Sequence, residues 1–210
     1  MAFSSGLPSR ATASTMALVL MGMMLWSALF QLLALTIGSM STDDLLHSGL
    51  IGHTALLSDA FWGGLFAACI AAPLIEESAF RWLFCSIAYD NQGQPRNQDW
   101  SLSIVVVFCG GLFATLHGFR YGWENFYWLI AVLGVHGSLL AWLWIRLARD
   151  GVNVWWHRLL ACAAVHGAFN LLVSIENELI TRALQAGYEA GSNAVGAACI
   201  ELITKLTSGQ

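Results

Sequence analysis

Charge is what this chain has least of. Only 10% of its residues are Asp, Glu, Lys or Arg, against 57% hydrophobic, and the mean hydropathy is +0.64. A soluble domain carries about 25% charged residues, so the composition excludes one and reads as an integral membrane protein. The nine Lys and Arg form no run, so the electrostatic footprint of a nucleic-acid binder is missing. The partner expected first is the lipid bilayer.

Other absences narrow the reading. Five cysteines make an odd count with no C-x-x-C pair, and Cys69, Cys85, Cys109 and Cys162 lie in apolar segments where Cys acts as a small hydrophobe. Neither a disulfide framework nor a thiolate metal site is implied. The 210 residues contain only three prolines and no Pro/Gly/Ser linker, low-complexity tract or internal repeat. One membrane-embedded domain over residues 1–210 is the expectation. No A-x-A-like cleavage site closely follows the apolar run at 16–37, which reads as a retained transmembrane helix.

What is present is long apolar runs. About 20 residues cross the hydrocarbon core, and segments 14–37, 60–89, 101–121, 125–147 and 154–175 are long enough. The fold class expected is an all-α polytopic transmembrane bundle of five to six spans, the more polar stretch 176–207 being a surface helix or the sixth. Trp62, Tyr89, Trp100, Trp123, Trp155 and Trp156 mark the interfaces. The second segment is too long for one span, and Pro73 inside it predicts a kink or break. With the N-terminus inside, Arg10, Arg96, Arg146, Arg149 and Arg158 fall on the cytoplasmic side against Arg120, Arg182 and Lys205 outside, which predicts a cytoplasmic N-terminus.

The stretch APLIEESAFRW, ending at Trp82, puts two carboxylates and a guanidinium into such a run. Ionisable groups in a span cost free energy and persist where they pair or work. Glu77 and Arg81 are four apart and share a helix face, so that pair is explicable as structure. Glu76 points about 100° away and has no local cation, so it needs a distant partner. His117 lies one turn after Phe113, and alone it reads as an interhelical donor. His166 and Asn170, again four apart, converge on one face. His136 has no such companion and is assigned a structural role, as are His47, His53 and His157 near loops.

Taken in order, E-E-x-x-x-R, F-x-x-x-H and H-x-x-x-N on three separate predicted spans resemble the CPBP family. These are the CAAX-protease and bacteriocin-processing membrane enzymes, also called Abi proteins. The resemblance covers about residues 58–175. It implies an intramembrane glutamate endopeptidase, its active site within the membrane, acting on a membrane-associated peptide or protein, in a bacterial-type inner membrane. By the same resemblance Glu76 with His117 activates a water, His166 and Asn170 stabilise the oxyanion, and Glu77 and Arg81 hold the glutamate helix. The arginine of this family is commonly followed by glycine, whereas Trp82 stands here, which implies different helix packing beside the site.

The residues are sufficient for that chemistry. Peptide hydrolysis needs a base for water, donors for the oxyanion and a proton for the leaving amine. Glu76 can serve both proton steps, while Asn170 and His166 can donate. No cofactor is required, although two His with one or two Glu also make a zinc-ligand set, so a zinc-dependent membrane protease is the chemical rival. A proton-coupled carrier would expect further polar lining and repeated halves, and the chain has neither. An inactive scaffold would not need Glu76, His117, His166 and Asn170, and all four are present.

Overall fold

In lipid every backbone polar group must be satisfied within the chain, so apolar runs of this length become helices. The computed structural model describes residues 10–36, 59–97, 101–121 and 130–176, and these are helical apart from short connections. We number the helices α1 (Arg10–Thr36), α2 (59–88), α3 (Leu102–Tyr121), α4 (Ile130–Arg149) and α5 (Trp155–Glu176). Four contain stretches long and apolar enough to cross a membrane: Ala11–Phe30, Gly63–Ala88, Ile130–Arg149 and Trp155–Glu176. The apolar part of α3, Leu102–His117, is shorter. No strand occurs among the described residues. The stretch 176–207, left open between surface helix and sixth span, lies outside the described residues beyond Glu176.

The bundle is wrapped around α4, whose Leu140, Leu143, Trp144, Ile145 and Leu147 are fully enclosed. Large apolar side chains point outward instead on the peripheral helices, as at Leu18, Leu25 and Leu29 of α1 and Val107 and Phe108 of α3. In water that surface would be an aggregation hazard; in a bilayer it is the lipid-facing side.

Small residues set the contact between α3 and α4. A methyl added to Gly110 would overlap Ser138 Oγ and the carbonyl of Gly134, and one added to Gly137 would come within 2.9 Å of Phe113 Cβ. Backbones can approach this closely only because no Cβ intervenes. The contact fixes α3 at the height where Phe113 and His117 face inward.

Pro73 does not break α2. The helix runs on without interruption through a π-helical turn at Ala67–Ala71, an α-helical stretch Ala72–Glu77 and a second π-helical segment Ser78–Cys85. Each π turn accommodates an extra residue, and such turns are frequent at functional sites. Here the Ala72 N–H reaches back five residues to the Ala67 carbonyl. The missing donor of Pro73 is absorbed by this change of register, so the expected kink or break is replaced by a continuous helix of altered winding.

At one end of the bundle the turn 89–96 is held by arginines. Asp90 Oδ1 accepts from the backbone N–H groups of Gln92 (2.8 Å) and Gln94 (2.9 Å). Gly93 takes φ +71°, a left-handed conformation suited to glycine, and its carbonyl accepts from Arg149 Nε at 2.9 Å. Arg158, from the start of α5, donates to Asn91 Oδ1 at 3.1 Å and lies over the Trp144 ring.

Candidate active site

Three helices bring the carboxylates and histidines together. Glu76 and Glu77 sit between the two π-helical turns of α2, His117 lies toward the far end of α3, and His166 and Asn170 lie one turn apart on α5. Glu76 Oε2 is 3.7 Å from His117 Nε2 and 3.8 Å from His166 Nε2. Both spacings exceed a hydrogen bond, and Glu76 Oε2 has no hydrogen-bond partner among the described residues. These groups line a cavity of about 150 Å³ that also touches Phe113, Asn170 and, from α1, Met23. A cavity of this size, with Glu76, His117, His166 and Asn170 in its wall, has room for water beside those polar groups.

The hydrogen-bond partners fix which ring nitrogens carry hydrogen. His117 Nδ1 is 2.8 Å from the Phe113 carbonyl. A carbonyl only accepts, so Nδ1 donates there and the neutral ring presents a lone pair at Nε2 toward Glu76. His166 Nδ1 is 3.0 Å from Glu77 Oε1 and donates to that carboxylate in the same way. The Phe113 ring lies 4.4 Å from His117 and 5.8 Å from His166, centroid to centroid, and keeps both imidazoles in place.

Glu77 is completely buried, and its second oxygen stands 2.9 Å from Arg81 Nε, an ion pair with both partners at 0% exposure. The N–H vector does not align on the oxygen, so the contact is ionic rather than a hydrogen bond. Phe113 and Phe80 supply ring faces to the guanidinium, at 5.3 and 5.8 Å from Cζ. Asn170 Nδ2 donates to the Ala68 carbonyl at 2.7 Å, tying α5 to the first π turn of α2.

The match to known proteins falls on this part of the chain. Residues 58–172, more than half of the chain, match the family model of the Rce1-like type II CAAX prenyl endopeptidases. The chain belongs to that family. No curated protein and no solved structure matches it. As a member of the CAAX prenyl endopeptidase family the chain is an intramembrane peptidase, which agrees with its apolar spans and with the resemblance carried by its three motifs.

Sequence reasoning missed one part of this CAAX-type site. His136, read as structural, lines the same cavity. Its Nε2 is 3.2 Å from the Met23 carbonyl and 3.1 Å from Ser27 Oγ, so it anchors α1, a helix that precedes the matched region. Ser27, a hydroxyl amid the apolar residues 16–30, was the available signal for such an interhelical bond. Trp82, singled out in the sequence for its bulk beside the site, lies apart from the cavity. Its indole is half-exposed and stacks on Trp155 with centroids 5.2 Å apart. Trp82 thus packs α2 against the start of α5 at the arginine-rich end. Among the described residues no group of three His, Cys, Asp or Glu side chains converges to hold a metal ion.

Proposed function

We propose that the protein is an intramembrane endopeptidase that hydrolyses a peptide bond in a membrane-associated peptide or protein, with Glu76 as the base for water. The observation that carries this reading is the convergence of Glu76 Oε2 with the Nε2 atoms of His117 and His166, at 3.7 and 3.8 Å, around one cavity.

A water in that cavity donates one hydrogen to Glu76 Oε2 and the other to the lone pair of His117 Nε2, which leaves its own lone pair turned toward a substrate carbonyl. Glu76 takes the proton as the water oxygen bonds to the carbonyl carbon. The carbonyl oxygen becomes an oxyanion, and donors aimed at that position lower the barrier. His166 Nε2 and the second hydrogen of Asn170 Nδ2 supply them. Glu76 then returns its proton to the amine nitrogen as the C–N bond breaks, leaving a carboxylic acid and an amine; the acid then gives up its remaining proton to water.

For His166 to donate from Nε2 while Nδ1–H is held by Glu77, the ring must carry both protons. A ring protonated at both nitrogens has a carboxylate on either side, Glu77 Oε1 at 3.0 Å and Glu76 Oε2 at 3.8 Å. Glu77 and Arg81 act through His166 and the winding of α2, and neither touches substrate.

We assign the whole chain to one membrane-embedded domain, with the site inside the bilayer and the arginine-rich end, together with the N-terminus, at the cytoplasm. The test uses the purified protein in liposomes with a quenched fluorescent peptide ending in farnesyl-Cys and three further residues, beside the same peptide without lipid. Cleavage with products identified by mass supports the reading and reports whether the lipid is required. Proton flux without cleavage of either peptide would support a carrier instead.

A further inference from the structure

Pro73 and Asn170 are almost a hundred residues apart, yet the backbone connects them. In the π-helical turn Ala67–Ala71 the acceptor of each donor lies five residues back, as the Ala72 N–H to the Ala67 carbonyl shows. The next donor in that register, for the Ala68 carbonyl, would be residue 73, and a proline has no N–H. The Ala68 carbonyl is thus orphaned within its own helix, in a buried position where an unpaired acceptor is costly. Asn170 Nδ2 fills it at 2.7 Å.

That bond determines which way the Asn170 amide faces. The carbonyl accepts only, so the NH2 end must turn toward α2, and one of its two hydrogens is used there. The other remains on the cavity side, where Asn170 is part of the wall. Just before it on α5, Gly167 permits the approach, because a methyl there would overlap the Cys69 carbonyl. Pro73, Ala68 and Gly167 together seat one side-chain amide in one orientation.

We infer that Pro73 is a positioning residue for the oxyanion donor, acting through the unpaired carbonyl of Ala68 on the amide of Asn170. The inference rests on the oxyanion role given to Asn170 above. A residue with an N–H at position 73 would compete for the Ala68 carbonyl, release the Nδ2 hydrogen and let the amide rotate. Because proline is the poorest helix former and alanine the best, Pro73→Ala does not weaken the helix, and a loss of activity in that variant is not a loss of fold.

The experiment is a double-mutant cycle on the full chain in detergent, with Pro73→Ala, Asn170→Ala and both together. Thermal unfolding needs no substrate. Asn170→Ala lowers Tm in the wild-type background, where it orphans the Ala68 carbonyl, and the drop is at least halved in the Pro73→Ala background, where residue 73 supplies the donor. Equal drops in the two backgrounds would overturn the inference. With the farnesylated peptide, Pro73→Ala lowers kcat about tenfold with KM unchanged, and has no effect once Asn170 is Ala. A purely structural proline would lower activity by the same factor in both backgrounds. Full kcat in Asn170→Ala would remove the oxyanion role of Asn170 while leaving the Tm coupling intact, so the two failures are distinguishable.

Discussion

His166 Nδ1 lies 3.0 Å from Glu77 Oε1, and Glu77 is completely buried between that imidazole and the guanidinium of Arg81. The second glutamate of the pair is therefore a bridge between α2 and α5 as well as a counterion within α2. It holds the histidine whose other nitrogen faces Glu76.

Removing the bridge has separable consequences. Glu77→Gln leaves the buried Arg81 uncompensated and is expected to destabilise the protein by about 3–5 kcal/mol, as breaking a buried pair does. Replacing both partners, with Glu77→Leu and Arg81→Met, restores most of the Tm because no charge is stranded. It does not restore cleavage, since His166 has lost its acceptor. Thermal unfolding and peptide cleavage on the same preparations measure the two effects.

Helix approach is tested by two adjacent glycines. Gly110→Ala places a methyl against Ser138 Oγ and the Gly134 carbonyl, whereas nothing lies within 4 Å of a methyl at Gly111. Gly110→Ala should cost about 1–3 kcal/mol, as overpacking does, and reduce activity by displacing His117. Gly111→Ala should leave both Tm and cleavage unchanged.

Much of this was legible in the sequence. The Glu77–Arg81 pair follows from i, i+4 spacing, and the three motifs contain Glu76, Phe113, His117, His166 and Asn170 of the cavity wall. The link from Glu77 to His166 was not legible, because periodicity reports faces of one helix and not which face meets which neighbour. The π turns were missed for a related reason: one extra residue in a uniformly apolar helix leaves no mark on hydropathy. Pro73 was read by its usual effect on an α-helix, a break. In a π turn the same missing N–H leaves an acceptor for Asn170. His136 was discounted for want of a companion on its own helix, while its partners Met23 and Ser27 are on α1.

The pH dependence of the turn 89–96 follows from Asp90, which lies outside the spans. Hydrogen bonds from the backbone N–H of Gln94 and then Gln92, with Arg96 and Arg158 nearby, outweigh partial burial and lower its pKa below the ordinary 3.8. A depressed carboxylate stabilises the fold above its unfolded value, and that contribution is lost as pH falls through the folded one. The Gln92 and Gln94 amides should thus stay protected from hydrogen exchange at neutral pH and lose protection only below about pH 4. Asp90→Asn should be partly unprotected and insensitive across that range.

Metal removal separates the proposed mechanism from its zinc rival. A carboxylate-activated water needs no metal, so dialysis against EDTA or 1,10-phenanthroline should leave the cleavage rate unchanged. A loss restored by added Zn²⁺ would make Glu76, His117 and His166 ligands and transfer water activation to the metal.

The account depends most on Glu76, which is exchanged with least disturbance for Gln, an isostere that cannot accept the proton of water. Purified Glu76→Gln in liposomes should retain the wild-type Tm and lose peptide cleavage by at least about a hundredfold, the lower end of what a general base contributes. Cleavage within a few-fold of wild type in that variant, with products of the same mass, would contradict it.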